Sequence, residues 1–209
     1  DVSHYLLTHA HSDHTCGLHA SFDLGTIYCS TITARVLRST LGVRPKLLRT
    51  IDVGETLEVE GVRVRALDAG HCPGSLMFLF EHVASGHRAL HTGDCRASAG
   101  VIDAVCRALE PVPAAQPAAE GPSSSTSPAA AARPAARALA ACLYPDTTYA
   151  AERWVFPPQA AALEALSALV TREVRREPRT VFLVGNYHVG KEAAIAAVAP
   201  ARGWRALVP

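Results

Sequence analysis

The sequence predicts an α/β (α+β) fold, and three observations carry that expectation. Short apolar segments of strand length alternate with segments of helical period. A hairpin-rich stretch lies between residues 56 and 91. From residue 143 onward the order strand–helix–strand–helix–strand returns.

Tyr5-Leu6-Leu7 reads as a short buried strand leading into a histidine-rich turn, and Thr26-Ile27-Tyr28-Cys29 reads as the next strand. Ser30 or Thr31 then caps a helix through Ala34, Leu37 and Leu41, which Gly42 ends. Thr56 to Glu60 and Val62 to Leu67 alternate polar and apolar residues around Gly61, the pattern of a hairpin. Leu76 to Phe80 and Arg88 to His91 form two more strands around a turn at Ser85-Gly86. Residues 111–137, PVPAAQPAAEGPSSSTSPAAAARPAAR, lack core formers apart from Val112 and Thr126, and read as a disordered insertion. Order resumes at Leu143-Tyr144. Pro157 to Arg176 has an amphipathic stripe of Leu163, Leu166, Leu169 and Val170, the mark of a helix. Thr180 to Val184 reads as a buried strand, Lys191 to Val198 as a helix and Trp204 to Val208 as a final strand.

The 209 residues carry a net charge of +1, so no overall basic field marks a nucleic-acid partner. No apolar run is long enough to span a membrane. The opening DVSHYLLTH lacks a basic, cleavable leader and starts as a strand would inside a domain, so the chain is expected to be part of a longer protein. The six cysteines are scattered without a C-x-x-C pair, which argues against a disulfide framework or a zinc finger.

The informative stretch is LTHAHSDHTCGL, with His9, His11, Asp13 and His14 within six positions. Residues two apart at a strand end leave on one face, so His9 and His11 can reach one cation. Asp13 and His14 diverge from each other, which suits a second position beside the first. Imidazole and carboxylate together are a zinc ligand set, with bonds of about 2.0–2.2 Å. Two further strand mouths offer ligands: His71 in DAGHCPGS and Asp94 in ALHTGDC. The expected arrangement is His9, His11 and His71 around one ion and Asp13, His14 and a bridging Asp94 around the other. Two ions about 3.5–4 Å apart activate a water for hydrolysis at neutral pH.

In H-x-H-x-D-H followed by a lone His and a strand-ending Asp, the chain resembles the metallo-β-lactamase fold. The words LTHAHSDHTCGL, GHCPGS, LHTGDCRA, LYPDTTYAAERWVFPPQ and VGNYHVGKE are similar, in order, to motifs of the DNA cross-link repair nucleases, the Artemis/Apollo branch of the β-CASP family. The resemblance implies an αββα sandwich over residues 1–149, with the start of a β-CASP α/β domain over 150–209. It implies a metal-dependent nuclease that hydrolyses DNA phosphodiesters, a 5′ exonuclease of interstrand cross-link or double-strand-break repair, working in the nucleus. The implied cofactor is Zn²⁺, one or two ions, with Mg²⁺ or Mn²⁺ as alternatives at the second position. The implied partner is single-stranded or end-containing duplex DNA, with no membrane involved. His9, His11, Asp13, His14, His71 and Asp94 fall on the metal motifs. Asp13 and Asp146 fall on positions with catalytic roles, Asp146 as the acidic motif that supports the centre, and Lys191 on a DNA-phosphate contact.

The chain departs from the family pattern at Asn186-Tyr187-His188, where Thr-Tyr-Ser is usual, and at Gly70, where Asn is common. The later histidine that normally completes the family's metal site is absent from these 209 residues, so an inactive truncated part of a nuclease, or a non-catalytic module, is an alternative expectation. An RNA-processing β-CASP nuclease and a small-ester hydrolase are the others. Gly185-x-x-x-x-Gly190-Lys191 has phosphate-loop spacing, but Glu192 stands where a Ser or Thr would hold Mg²⁺.

Overall fold

The computed structural model describes residues 2–110, 141–187, 189–199 and 203–205. The predicted insertion at 111–137, His188 and most of the final strand proposed at Trp204–Val208 lie outside the described residues. Two sheets form the body. The first is parallel and three-stranded, in the order β1 (His4–Leu6), β2 (Thr26–Cys29), β3 (Leu48–Thr50). The second has five strands in sequential order: β4 (Thr56–Val59), β5 (Val62–Asp68), β6 (Leu76–His82), β7 (Arg88–His91) and β8 (Ala141–Tyr144). Its pairs are antiparallel except the last, where β8 runs parallel to β7.

Strand alternation sorts side chains into layers. On β2, Ile27 and Cys29 join Leu7, Phe22, Ala34 and Leu37 in a core beneath helix α1 (Thr31–Thr40). Tyr28 faces the other way. With Leu6 it packs on Ile51, Val64, Ala66, Leu76 and Phe78, which fill the space between the sheets. On β6, Met77 and Leu79 leave the opposite face and meet Leu67, Leu90 and Ala108 under helix α2 (Ala99–Leu109). The result is α1, sheet, sheet, α2, a four-layer αββα sandwich. Because both faces of β6 are covered, it reads as an apolar run rather than an alternation.

Local chemistry sets the helix ends. Ser30 Oγ accepts the Thr33 N–H of α1, and Asp52 accepts both the Thr31 N–H (2.9 Å) and hydroxyl (2.6 Å). These bonds, the Thr31 hydroxyl first, hold the Asp52 carboxyl below its ordinary range. Ser98 caps α2 in the same way.

Helices α3 (Gln159–Arg176) and α4 (Glu192–Val198) follow the predicted segments closely. One expectation fails. Residues 180–184 form no strand, and Leu183 and Val181 are 95% and 80% exposed. An apolar run becomes a buried strand only with a neighbour to pair, and none lies beside it among the described residues.

Candidate metal centre

Strands β1, β5, β7 and β8 all end at one rim of the sandwich. β5, β7 and β8 run in one direction, and the Leu76 N–H at the start of β6 donates to Thr8 O just past β1, which ties the two sheets there. His9 follows β1, His71 follows β5, Asp94 follows β7 and Asp146 follows β8.

The turn chemistry aims each ligand. The His71 and Cys72 N–H groups both donate to Ser75 Oγ at 3.2 Å, closing the GHCPGS turn. The Gly93 N–H donates to His91 Nδ1 at 3.0 Å, which sets the Thr-Gly-Asp corner carrying Asp94. Gly93 has φ +55°, and a Cβ there would meet Thr8 Cβ and Cγ2 at 2.8 Å, so only glycine fits.

The structure brings His9, His11, His71 and Asp94 together, with one potential ligand atom from each within 4.8 Å of all the others; Asp13, His14 and Asp94 form a second group that shares Asp94. His9 is fully buried, whereas His14, His71 and Asp94 are partly open. His14 Nε2 lies 3.2 Å from Asp94 Oδ1 and 3.5 Å from Asp13 Oδ2, and the Asp13 side chain is mostly exposed.

Proton counting tests whether these residues suit a cation. Val189 O can only accept, so the hydrogen bond to it at 3.0 Å requires a proton on His11 Nε2. Neutral His11 therefore presents a lone pair at Nδ1. That lone pair faces His9 Nε2 at 3.0 Å and His71 Nε2 at 3.1 Å, and can accept a proton from only one of them. At least one close nitrogen pair is thus left without a hydrogen bond of its own, with Asp94 Oδ2 at 3.8 and 3.7 Å from the His9 and His71 nitrogens. A divalent cation relieves such an arrangement, and the donor set fits one. Thr8 Oγ1, 3.1 Å from His9 Nδ1, and Val189 O, on the far side of His11, are outer partners that fix ring orientation.

Burial, followed by the neighbouring His14, His11 and His71, lowers His9 to about 3, against a small opposing pull from Asp13. Burial also lowers His71, with Asp94 opposing it. Both rings are therefore neutral near pH 7, the form that binds metal. Cys72 is pushed up to about 11 by burial, Glu192 and Asp94, so its thiol stays protonated beside the cluster.

Asp146 falls in neither ligand group among the described residues. Its Oδ2 accepts the Cys95 N–H at 3.2 Å and its Oδ1 the Thr148 N–H at 2.9 Å, so it pins the residue after Asp94. Burial alone would raise its carboxyl, but the Thr148 and Cys95 donors and His71 outweigh that and hold it below the usual range. Lys191 caps α4 at φ +64° with its Nζ 4.5 Å from the centre of the Tyr187 ring. The Gly190 N–H donates to Glu192 Oε1, so a carboxylate, not a phosphate, uses that amide.

Ser75, Thr8 and the Val189 carbonyl help to build the site without being marked by any ligand pattern in the sequence. Ser75 sits in a quoted motif, but its role depends on turn closure. A backbone carbonyl 178 residues from the histidine that it orients leaves no sequence signal.

Residues 1–208 match the β-lactamase superfamily domain. The chain belongs to that superfamily. Among superfamily relatives, "DNA cross-link repair protein SNM1" of Arabidopsis thaliana is 32% identical over 201 residues, 96% of this chain and 36% of the relative. "DNA cross-link repair 1A protein" of Gallus gallus is 34% identical, covering 97% of this chain and 18% of the relative. "5′ exonuclease Apollo" of Gallus gallus is 34% identical, covering 90% of this chain and 34% of the relative. The chain thus spans little more than a third, or less, of the length of these superfamily relatives. No helix among the described residues is long and apolar enough to cross a membrane.

Proposed function

We propose that the chain carries the hydrolytic centre of a metal-dependent DNA nuclease, a 5′ exonuclease of cross-link repair working in the nucleus. The observation that carries this reading is the convergence of His9, His11, His71 and Asp94 on one point, with Asp13 and His14 beside it. The names of the relatives, two DNA cross-link repair proteins and a 5′ exonuclease, support the substrate and the direction. Three imidazoles with a carboxylate favour Zn²⁺ at the first position, and the more oxygen-rich Asp13, His14, Asp94 group accommodates Zn²⁺, Mg²⁺ or Mn²⁺. Bound cations supply Lewis acidity toward a phosphoryl oxygen and lower the pKa of water. His9 and His11 hold the site rigid, because Thr8 and Val189 O occupy their other nitrogens. Asp13, the most exposed of these carboxylates, orients the attacking water. Asp146 acts through the Cys95 amide to keep Asp94 aimed, and Lys191 meets a substrate phosphate. Residues 150–209 are the beginning of a second domain that closes over the nucleic acid.

The test uses a DNA strand and an RNA strand of one sequence, each with a 5′ phosphate and a 3′ fluorophore. The expected result is stepwise shortening of the DNA from its 5′ end, stopped by a chelator and restored by Zn²⁺. Equal cleavage of RNA, or cleavage that survives chelation, contradicts the proposal.

A further inference from the structure

Beside the metal cluster lies a cleft of about 590 Å³ whose lining includes His71, Asp146, Tyr149, Trp154, Phe156 and Arg96. Its wall is aromatic and open: Tyr149, Trp154 and Phe156 are 57%, 45% and 54% exposed. The three rings brace one another. Tyr149 stands edge-on to Trp154 (5.5 Å, 79°) and to Phe156 (5.0 Å, 81°). Trp154 and Phe156 are parallel to within 3°, so a flat group stacked on one is also parallel to the other. Two cations flank them. The Arg153 guanidinium lies 5.4 Å from the centre of the Trp154 ring, and Arg96, which donates to Pro157 O at 2.8 Å, lines the cleft itself.

We propose that the Tyr149–Trp154–Phe156 wall is a nucleobase-stacking subsite for the nucleotide next to the phosphate held at the metal centre. This rests on the nuclease reading and adds a residue-level account of how the substrate is gripped. Exposed aromatic rings beside guanidinium groups match the requirements of single-strand binding, where bases stack and cations meet the backbone. The cleft is lined both by His71, a member of the ligand group, and by the three aromatic residues, so the wall and the metal centre open onto one space. Stacking accepts any base, so the subsite confers grip without sequence preference.

The test compares binding of a six-nucleotide thymidine strand with a fully abasic strand of the same length and charge, by fluorescence anisotropy with the metal chelated so that nothing is cut. The wild-type chain should prefer the strand with bases, by on the order of tenfold. Trp154→Leu and Phe156→Leu should bring that preference close to one while affinity for the abasic strand stays within about twofold, and Trp154→Phe should restore most of it. A preference that persists in both leucine variants, equal weakening of both strands, or no wild-type preference at all overturns the proposal. Because no hydrolysis is read, these outcomes are separate from any failure of the DNA and RNA cleavage test.

Discussion

His11 donates through Nε2 to the carbonyl of Val189, 3.0 Å away and 178 residues along the chain. That one bond fixes which nitrogen of His11 faces the other ligands, and it ties the loop before α4 to the rim of the sandwich. Gly190 sits at φ +106°, where a Cβ would lie 3.5 Å from His11 Nε2 and 3.6 Å from Cys72 Cβ. The space accepts a Cβ, but Gly190→Ala is strained in its backbone at this φ, and relief of that strain shifts the loop that carries Val189 O relative to His11. Metal affinity, measured by competition with a fluorescent chelator, should fall about 10–100-fold, the usual effect of losing an outer partner. Unchanged affinity would show that Val189 O does not orient the ring.

Gly93→Ala tests the opposite side. Its Cβ would strike Thr8, whose hydroxyl meets His9 Nδ1. The expected cost is about 1–3 kcal/mol in urea unfolding, from overpacking at a left-handed position, together with weaker metal binding. Full stability and full metal content would mean that the rim yields more easily than these contacts imply.

Asp146→Asn keeps the size of the side chain and removes its charge. The Cys95 and Thr148 amides lose a charged acceptor, at a cost of about 1 kcal/mol for a partly open group. Metal content should persist, while DNA hydrolysis falls tenfold or more. Loss of the ion itself would make Asp146 a ligand rather than a positioning residue.

The metal-free chain should weaken as the solution is acidified. His9 has an ordinary value of 6.5 and about 3 when folded, so between those values the unfolded chain binds a proton that the folded chain resists. Stability rises with pH wherever the unfolded state holds more protons, so it is full above about 6.5 and declines as pH falls toward 3. Urea midpoints recorded with a chelator present should show that slope, and His9→Gln should flatten it. A level profile from pH 6.5 to 4 would contradict the burial of a neutral ring.

Asp52→Ala separates fold from site. It removes two bonds to Thr31 at the start of α1 and should cost about 1 kcal/mol. Because the Asp52 carboxyl is held below 3.8, this contribution is present above that pH and is lost as pH falls through the lowered value. Metal stoichiometry should match the wild type, since Asp52 lies outside both ligand groups.

Much of this architecture was legible because local patterns match what the fold demands. Gly61 and the alternation around it give the β4–β5 hairpin, and Ser30 gives the start of α1. The H-x-H-x-D-H spacing drew attention to the turn after β1, and each partner motif follows an apolar strand, as His71 and Asp94 do here. What stayed hidden depends on partners distant in sequence. Strand β3, with arginine at its centre, is held by pairing with β2 rather than by its own pattern. Helix α2 carries Val101, Val105 and Ala108 on one face, a stripe that gains meaning only above Met77 and Leu79. Thr180–Val184 has the composition of a strand but no neighbour among the described residues, so composition alone misled.

The most direct measurement is elemental analysis of the purified chain beside His11→Ala and His71→Ala, with circular dichroism to confirm that each is folded. The account predicts at least one tightly held divalent ion per wild-type chain and its loss from both variants. A wild-type chain without metal after exposure to Zn²⁺, or folded variants with unchanged content, would contradict it.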